Sequence, residues 1–186
     1  RWGYFPAFSL GWIVNRESFL RDYSWIDNIK IRGSIGQTGS TNIDDFSYRQ
    51  FYITNGQYAG NSSIILQDLL PNKGIRWEKT TEYNIGLDFS FFNHRLYGNV
   101  DFYLRNTDGA LAPAPHILES GMNSYFDNIV DLRNKGFEIS LGGDIIRTHD
   151  FTWSSMLNIS SNKSKITNLN NAQLAPELQD AFIVGY

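Results

Sequence analysis

Apolar and polar residues alternate along the middle of the chain, over residues 76–105. Every second residue is apolar over 83–91, and the alternation resumes over 96–104 after the turn residues 93–94. A period of two is typical of antiparallel β-strands that place one face in an apolar environment. Each predicted strand is about ten residues or longer, whereas the usual strand has roughly 5–6. Strands of ~9–11 residues are the length that a tilted strand needs to cross a membrane.

The turn at residues 93–94 also predicts how the two strands of this hairpin pair. With these residues at the turn centre, Phe91 faces Leu96, and counting back along both strands places Glu82 opposite Arg105. A slip of one residue would transfer the charged side chains to the apolar face. That transfer costs about 2–4 kcal/mol for an arginine near the middle of a bilayer. We therefore predict that this penalty sets the register and that the ion pair contributes little.

The same alternation recurs on both sides of the hairpin and predicts an all-β chain, an antiparallel up-and-down meander of about six long strands. The predicted strands lie near residues 2–14, 28–37, 79–91, 95–106, 135–146 and 151–162. The predicted long connections, residues 38–77, 107–134 and 163–186, are expected to be extracellular loops, which places the short turns on the periplasmic side. A short helical turn is expected over 16–23, with Asn15 as its cap. We also predict that Gly143 lies opposite Trp153, whose indole would cover the glycine.

The lengths of the connections favour a membrane barrel over a soluble sheet. Short and long connections alternate along the chain, as they do in outer-membrane barrels, which have short periplasmic turns and long extracellular loops. Six strands are too few to close such a barrel, which needs about eight or more. An open sheet in lipid would also leave two strand edges without hydrogen-bond partners. The chain is therefore either one part of a larger barrel or not a membrane protein.

Composition changes this interpretation only slightly. The net charge of -3 and the lack of a basic block argue against a nucleic-acid partner. The mean hydropathy of -0.34 is ordinary for soluble proteins, but a barrel strand carries an apolar residue only at every second position. Aromatic residues make up 15% of the chain, and large rings are enriched where a barrel meets the membrane interfaces. The chain opens at Arg1 inside a predicted strand, and we expect it to be a segment of a longer polypeptide.

Five ordered motifs resemble one protein family. They are RWGYFPAFSLGW at 1–12, WIDNIKIRGSIGQTG at 25–39, WEKTTEYNIGLDF at 77–89, FFNHRL at 91–96 and RNKGFE at 133–138. In this order they resemble the C-terminal half of the barrel in SusC/RagA-like TonB-dependent outer-membrane transporters. The resemblance covers nearly the whole chain.

The resemblance implies a fold, a location and partners. It implies a 22-stranded barrel in the outer membrane of a Gram-negative bacterium, filled by an N-terminal plug domain that is absent from this sequence. It further implies uptake of oligosaccharides or peptides, a SusD-like surface lipoprotein as lid, and energy supplied by the TonB complex through the missing N-terminal region. The barrel would contact outer-membrane lipid, and no cofactor is implied.

Charged residues at alternating positions allow two interpretations. They form either the solvated face of a soluble sheet or the wall of a hydrated barrel lumen. The resemblance favours the lumen, where most of them would pack against the plug and few would contact substrate. The candidate lumen-facing residues are Lys30, Arg32, Glu82, Asp88, Asp101, Arg105, Glu138 and Asp144.

Aromatic residues in the predicted connections are candidates for contact with a sugar ring or with the lid. The plain alternative is that they pack against neighbouring loops. The candidates are Tyr48, Tyr52, Tyr58, Tyr125 and Phe126. No catalytic motif is recognisable, and the three histidines lack a second ligand at metal-binding spacing. We therefore predict neither an enzyme nor a metal site.

The alternative to a transporter is a soluble carbohydrate-binding β-sandwich. A sandwich buries its apolar stripe against a second sheet, whereas a barrel leaves it facing lipid. A hydrolase is disfavoured because no motif places a pair of carboxylates. The apolar stripe that we predict to face outward and to be exposed is Tyr83, Ile85, Leu87, Phe89, Val100, Phe102, Phe137, Ile139, Leu141, Trp153, Leu157 and Ile159.

Overall fold

The computed structural model describes residues 2–41, 49, 52–66, 69–115 and 124–169, and these residues are almost entirely β-structure. The strands are β1 (Ala7–Ile13), β2 (Ile26–Ser40), β3 (Tyr52–Tyr58), β4 (Asn61–Leu66), β5 (Leu69–Leu70), β6 (Glu78–Phe91), β7 (Leu96–Pro115), β8 (Ser124–Arg147) and β9 (Thr152–Leu169). One 3-10 helix, Val14–Arg16, follows β1. Among the described residues, no helix is long and apolar enough to span a membrane.

Six long strands form one antiparallel sheet in the order β1-β2-β6-β7-β8-β9. The predicted meander is therefore confirmed. The two-residue β5 adds to the start of β8 in parallel, and β3 and β4 form a separate hairpin. Within the described ranges β1 and β9 do not pair with each other, so the sheet stays open. We call the end of the sheet with the short turns 92–95 and 148–151 the turn end, and the opposite end the loop end.

The strands reach much further toward the loop end than the alternation predicted. Most of the predicted connection 107–134 is strand, because β7 continues to Pro115 and β8 begins at Ser124. β9 likewise continues to Leu169, and the predicted connection 38–77 contains the β3–β4 hairpin and β5. For β7 and β8, the reason is that their pairing shifts register between Thr107 and Leu111. These shifts interrupt the period of two that reveals a strand in the sequence.

Side chains hold the irregular part of the β7–β8 pair in place. Gly109 has a φ of 64°, a conformation that favours glycine, and its N–H donates to Asp131 Oδ1 at 2.9 Å. Asn128 Nδ2 donates to the Gly109 carbonyl at 2.6 Å, and Leu111 N–H donates to Glu78 Oε1 at 2.7 Å. Backbone groups that lose their ladder partners at a bulge are thus bonded by side chains instead.

The segment between β1 and β2 differs from the prediction in two respects. The helical turn lies at Val14–Arg16, although the N–H groups of Leu20 and Arg21 also bond back to the Glu17 carbonyl, at 3.1 and 3.0 Å. Asn15 does not cap a helix. Its amide Nδ2 donates to the Asp27 carbonyl at 3.0 Å, and its Oδ1 accepts from Ile29 N–H at 3.1 Å. The side chain therefore joins the end of β1 to the start of β2, as a backbone amide would.

The register of the β6–β7 hairpin is confirmed over its whole predicted length. Phe91 lies opposite Leu96, and the pairing continues without a shift to Glu82 opposite Arg105. The turn between the strands has four residues, of which three in succession have positive φ: 58° at Phe92, 57° at Asn93 and 60° at His94. Hydrogen bonds to the β1–β2 segment support this strained turn: Phe92 N–H donates to the Trp25 carbonyl and His94 N–H to Asp27 Oδ2, both at 2.9 Å.

The predicted pairing of Gly143 with Trp153 is wrong. Gly143 lies opposite Ser155, and Trp153 lies opposite Ile146. Arg147 pairs with Thr152, so the turn comprises residues 148–151 and lies later in the chain than a pairing of Gly143 with Trp153 requires. The pairing also shifts by one residue between Asp144 and Ile146, where Ile145 is an extra residue in β8.

An aromatic ring does cover a glycine on the same face, in the neighbouring hairpin. Phe89 lies opposite Gly98, and a methyl group on Gly98 would lie 2.9 Å from Phe89 Cζ. The ring shields the backbone that the missing side chain leaves open.

The apolar stripe is exposed, and most of the described part of the chain has no buried core. The exposed members are Tyr83, Ile85, Leu87, Phe102, Leu141, Trp153, Leu157 and Ile159, and the half-buried members are Phe89, Val100, Phe137 and Ile139. A small buried cluster at the loop end contains Ala112, Ala114, Ile129 and Val130. Ile85 is 57% exposed and Phe102 54%, so no second layer of the described chain covers the centre of the stripe. A soluble β-sandwich would bury these side chains.

Candidate functional site

The candidate lumen-facing residues lie on the face opposite the apolar stripe. Residues directly opposite each other on paired strands share a face. The ladder pairs Lys30 with Asp88, Arg32 with Gly86 and Asp101 with both Gly86 and Glu138. Side chains alternate between the two faces along a strand, and Leu87 and Val100 belong to the apolar stripe. The neighbouring charged residues therefore project from the other side of the sheet. We call this side the polar face.

Arg32 joins three strands at the centre of the polar face. Its Nε lies 3.1 Å from both carboxylate oxygens of Asp88, and its Nη2 lies 2.7 Å from Asp101 Oδ2. Asn99 Nδ2 also donates to Asp101 Oδ2, at 2.9 Å. One guanidinium thus bridges carboxylates of β6 and β7 from its own position on β2. The planar fork of arginine suits such a bridge because its donors point in fixed directions.

Gly86 makes room for this network. A methyl group on Gly86 would lie 2.6 Å from Asp101 Oδ1 and 2.8 Å from Arg32 Cζ. The Arg32 guanidinium and the Asp101 carboxylate therefore occupy the space that a side chain at position 86 would need. Asp101 Oδ1 is buried and makes no hydrogen bond to any residue that the structure describes. The Asp101 side chain is 13% exposed, against 35% for Arg32 and 32% for Asp88, so the network is partly shielded from solvent.

Glu82 and Arg105 form a second ion pair, nearer the loop end. Arg105 Nη2 and Nε lie 2.7 and 2.9 Å from Glu82 Oε2. The two side chains are 41% and 47% exposed, so solvent screens the attraction, and exposed pairs are typically worth only ~0.2–1 kcal/mol. The predicted pairing is confirmed, and it lies on the polar face with Arg32.

The remaining candidates lie on or near the polar face without joining these networks. Within the described chain, Lys30 and Glu138 form no ion pair. The stem of Lys30 lies over Gly11, where an added methyl group would be 3.2 Å from Lys30 Cε. Asp144 lies at the turn end, where its Oδ1 accepts from Ser154 Oγ at 2.7 Å and its Oδ2 lies 3.7 Å from Arg147 Nη1.

Two tyrosines on the polar face were not among the candidates. Tyr97 lies opposite Gly142 and Tyr103 opposite Gly136. A methyl group at either glycine would lie within 2.7 Å of the tyrosine ring carbon Cζ. Both rings therefore lie across the neighbouring strand, as Arg32 lies across Gly86. The signal in the sequence is a bulky residue opposite a glycine, but it can be read only once the register is known.

The candidate aromatic residues are divided between two sheets. Tyr52 and Tyr58 are the first and last residues of β3, and Tyr52 is 69% exposed. Tyr125 is in β8 and packs against the small buried cluster, and the neighbouring Phe126 carbonyl accepts from Asn72 Nδ2 at 2.9 Å. Tyr48 lies outside the described residues. A role of any of these residues in ligand or lid contact stays a prediction.

Known proteins share both the sequence pattern and the fold. A family model described as "TonB dependent receptor-like, beta-barrel" matches residues 1–179. The TonB-dependent receptor SusC of Bacteroides thetaiotaomicron is 39% identical over 176 residues, which are 91% of this chain and 18% of SusC. The TonB-dependent receptor P39 of Formosa agariphila is 34% identical over 168 residues, 90% of this chain and 16% of that receptor.

Solved structures give the same result. The structure of the RagAB peptide transporter matches with a TM-score of 0.82 at 26% identity, covering 90% of this chain and 18% of that chain. The RagAB peptide importer in its open-open state matches with a TM-score of 0.83 at 25% identity, covering 98% and 20%. This chain thus spans less than a quarter of the length of the relatives that it matches. Because the family model covers nearly the whole sequence, the chain belongs to the TonB-dependent receptor β-barrel family, and it is similar to SusC and to the RagAB peptide transporter.

Proposed function

We propose that this chain forms part of the wall of a TonB-dependent importer in the outer membrane of a Gram-negative bacterium. The observation that carries the proposal is the difference between the two faces of one sheet. The apolar stripe is exposed across β6, β7, β8 and β9, while the opposite face carries the Arg32 network. A single sheet with one apolar face and one polar face suits a boundary between lipid and a hydrated lumen.

The proposed mechanism involves no covalent chemistry. A polar oligomer, either an oligosaccharide or a peptide, enters from the cell surface beneath a SusD-like lipoprotein. The TonB complex then supplies the energy that rearranges a plug domain encoded elsewhere in the full-length protein. The similarity to SusC and to the RagAB peptide transporter supports this scheme. In it, the polar face forms a fixed wall against which the plug packs.

Uptake by cells tests the function. The full-length protein that contains this chain would be deleted and then restored, and depletion of a mixed oligosaccharide pool and a mixed peptide pool from the medium would be measured. We expect one pool to be depleted only when the protein is present, and depletion to stop when TonB is also deleted. Depletion that continues unchanged without TonB would contradict an energy-coupled importer.

A further inference from the structure

Four basic residues form a compact group on the same side of the sheet as the apolar stripe. They are Arg133 and Lys135 of β8 and Lys163 and Lys165 of β9, and we call them the basic quartet. Lys135 lies opposite Lys163 and Arg133 opposite Lys165, in the same ladder that pairs Ile139 with Ile159 in the stripe. All four side chains are exposed. The face that is proposed to meet lipid therefore ends in positive charge.

Placing like charges directly opposite each other on paired strands is destabilising. The quartet contains two such pairs in succession, and no ion pair to any of its members is found in the described residues. Asp131 is the nearest carboxylate along β8, but its oxygens accept from Gly109 N–H at 2.9 Å and from Asn168 Nδ2 at 3.3 Å. Among the described residues, Arg133 Nε donates to Oδ1 of the neutral Asn106, at 2.9 Å. An external anion would offset this repulsion.

An apolar groove adjoins the quartet. Its volume is ≈ 910 Å³, and its apolar walls include Phe8, Ile35, Ile85, Phe102 and Phe137. Lys135 and Lys163 line the groove where it reaches β8 and β9. The surface thus combines a site for a hydrocarbon chain with cations beside it, which is the arrangement that an anionic amphiphile requires.

The height of the quartet on the sheet matches a membrane interface. Lys163 is ten residues beyond Trp153 on β9, and β9 has no extra, bulged residue between the two. Ten residues at ~3.4 Å each cover ~34 Å of strand, and a tilt of ~40° reduces this to ~26 Å along the membrane normal. The apolar band of outer-membrane barrels is ~25 Å high. With Trp153 at the periplasmic interface, Lys163 reaches the headgroups of the outer leaflet.

We propose that the basic quartet binds the phosphorylated headgroup of an outer-leaflet lipid whose acyl chain packs in the adjoining groove. Lys135 and Lys163 contact the phosphate, and Arg133 and Lys165 extend the positive surface toward the loop end. This inference rests on the membrane placement proposed above.

Native mass spectrometry of the full-length protein, purified in detergent as a folded barrel, tests the site. The probes are dioleoyl phosphatidic acid, dioleoyl phosphatidylcholine and inorganic phosphate. We expect the parent to bind phosphatidic acid more tightly than phosphatidylcholine. Lys135→Gln/Lys163→Gln should weaken phosphatidic acid binding by about 25-fold, roughly fivefold for each cation removed. Inorganic phosphate should not compete, because it lacks the acyl chain.

The control variant Arg16→Gln/Arg21→Gln removes the same charge from exposed residues near the turn end and should bind phosphatidic acid like the parent. Equal affinities of the parent and the lysine variant would overturn the proposal, as would a preference for phosphatidylcholine or full competition by inorganic phosphate. Heat-modifiable migration in gels, measured in parallel, separates two failures. If the parent forms a folded barrel but does not bind phosphatidic acid selectively, only the proposed lipid site is refuted. If the parent never forms such a barrel, the membrane placement itself is refuted.

Discussion

The two faces of the six-stranded sheet belong to the same strands but are stabilised by different means. On the polar face, side chains lie across the neighbouring strand and bond to partners there, as Arg32 does over Gly86. On the apolar face, the side chains are exposed or half-buried, and no second layer of the described residues packs against them. The stability of the polar face therefore depends on close packing and on specific hydrogen-bond and ion-pair partners. The stability of the apolar face depends on the medium that surrounds it. A charge should damage the apolar face most, and added volume should damage the polar face where the Arg32 network fills the space beside Gly86.

The largest expected effect is that of a charge on the apolar face. Leu87→Arg in the full-length protein should lower the yield of folded, heat-modifiable barrel sharply, because an arginine facing the middle of the bilayer costs about 2–4 kcal/mol. The matched control Leu87→Ile keeps the side chain apolar and should assemble like the parent. Equal yields from Leu87→Arg and the parent would mean that this face does not meet lipid.

Added volume on the polar face should have the next largest effect. Gly86→Ala places a methyl group where Arg32 and Asp101 already lie, and we expect it to lower the free energy of unfolding by about 1–3 kcal/mol. On the apolar face, a methyl group at Gly33 would be 3.9 Å from its nearest neighbour, the Asn84 carbonyl oxygen. Gly33→Ala should therefore be neutral or stabilise by up to about 1 kcal/mol. Urea titrations of refolded barrel measure both values, and a destabilisation by Gly33→Ala as large as that by Gly86→Ala would contradict the comparison.

Removing the bridging cation should have a smaller effect. Arg32→Gln leaves the carboxylates of Asp88 and Asp101 without their shared guanidinium. Hydrogen bonds to charged groups are worth ~1.5–3 kcal/mol, and the partial exposure of this network reduces the expected loss to about 1–2 kcal/mol. The loss should shrink as salt is raised, because ions screen exposed charges. A loss that does not depend on salt would show that Arg32 acts by packing alone.

The smallest expected effect is at the exposed ion pair. Glu82→Gln should change the free energy of unfolding by less than about 0.5 kcal/mol, because the pair is nearly half exposed and such pairs contribute little. Urea titration beside Arg32→Gln gives the comparison directly. A larger loss from Glu82→Gln than from Arg32→Gln would reverse the ranking of the two networks.

The alternation of apolar and polar residues predicted the strands of the meander. It also predicted the register of the β6–β7 hairpin, because a short turn joins the two alternating segments directly. The same reasoning failed where a bulge falls inside a strand. Gly109 interrupts the alternation in β7. In β8, which has an extra residue at Ile145, the strand continues to Arg147 and the turn falls at residues 148–151, so that Gly143 lies opposite Ser155. The position of a bulge depends on which backbone groups form hydrogen bonds, and the alternation of apolar and polar residues does not reveal this.

In the candidate site, the contacts could be predicted from the sequence only where the paired strands belong to one hairpin. The Glu82–Arg105 pair lies within one hairpin, so counting along the strands from the turn predicts it. The network around Arg32 depends on how β2 pairs with β6, across a long segment that has no steady alternation. The residues of the network were therefore candidates from the sequence, but their contacts were not predictable.

We propose that alternate residues of one strand face lipid and a hydrated lumen, and lipid quenching tests this placement most directly. Single cysteines would be placed at each position from Val100 to Arg105 in a cysteine-free full-length protein, labelled with a fluorophore and reconstituted with brominated lipid. We predict strong quenching at Val100, Phe102 and Leu104 and weak quenching at Asp101, Tyr103 and Arg105. Quenching that does not alternate, or that is stronger at the second set, would contradict the claim.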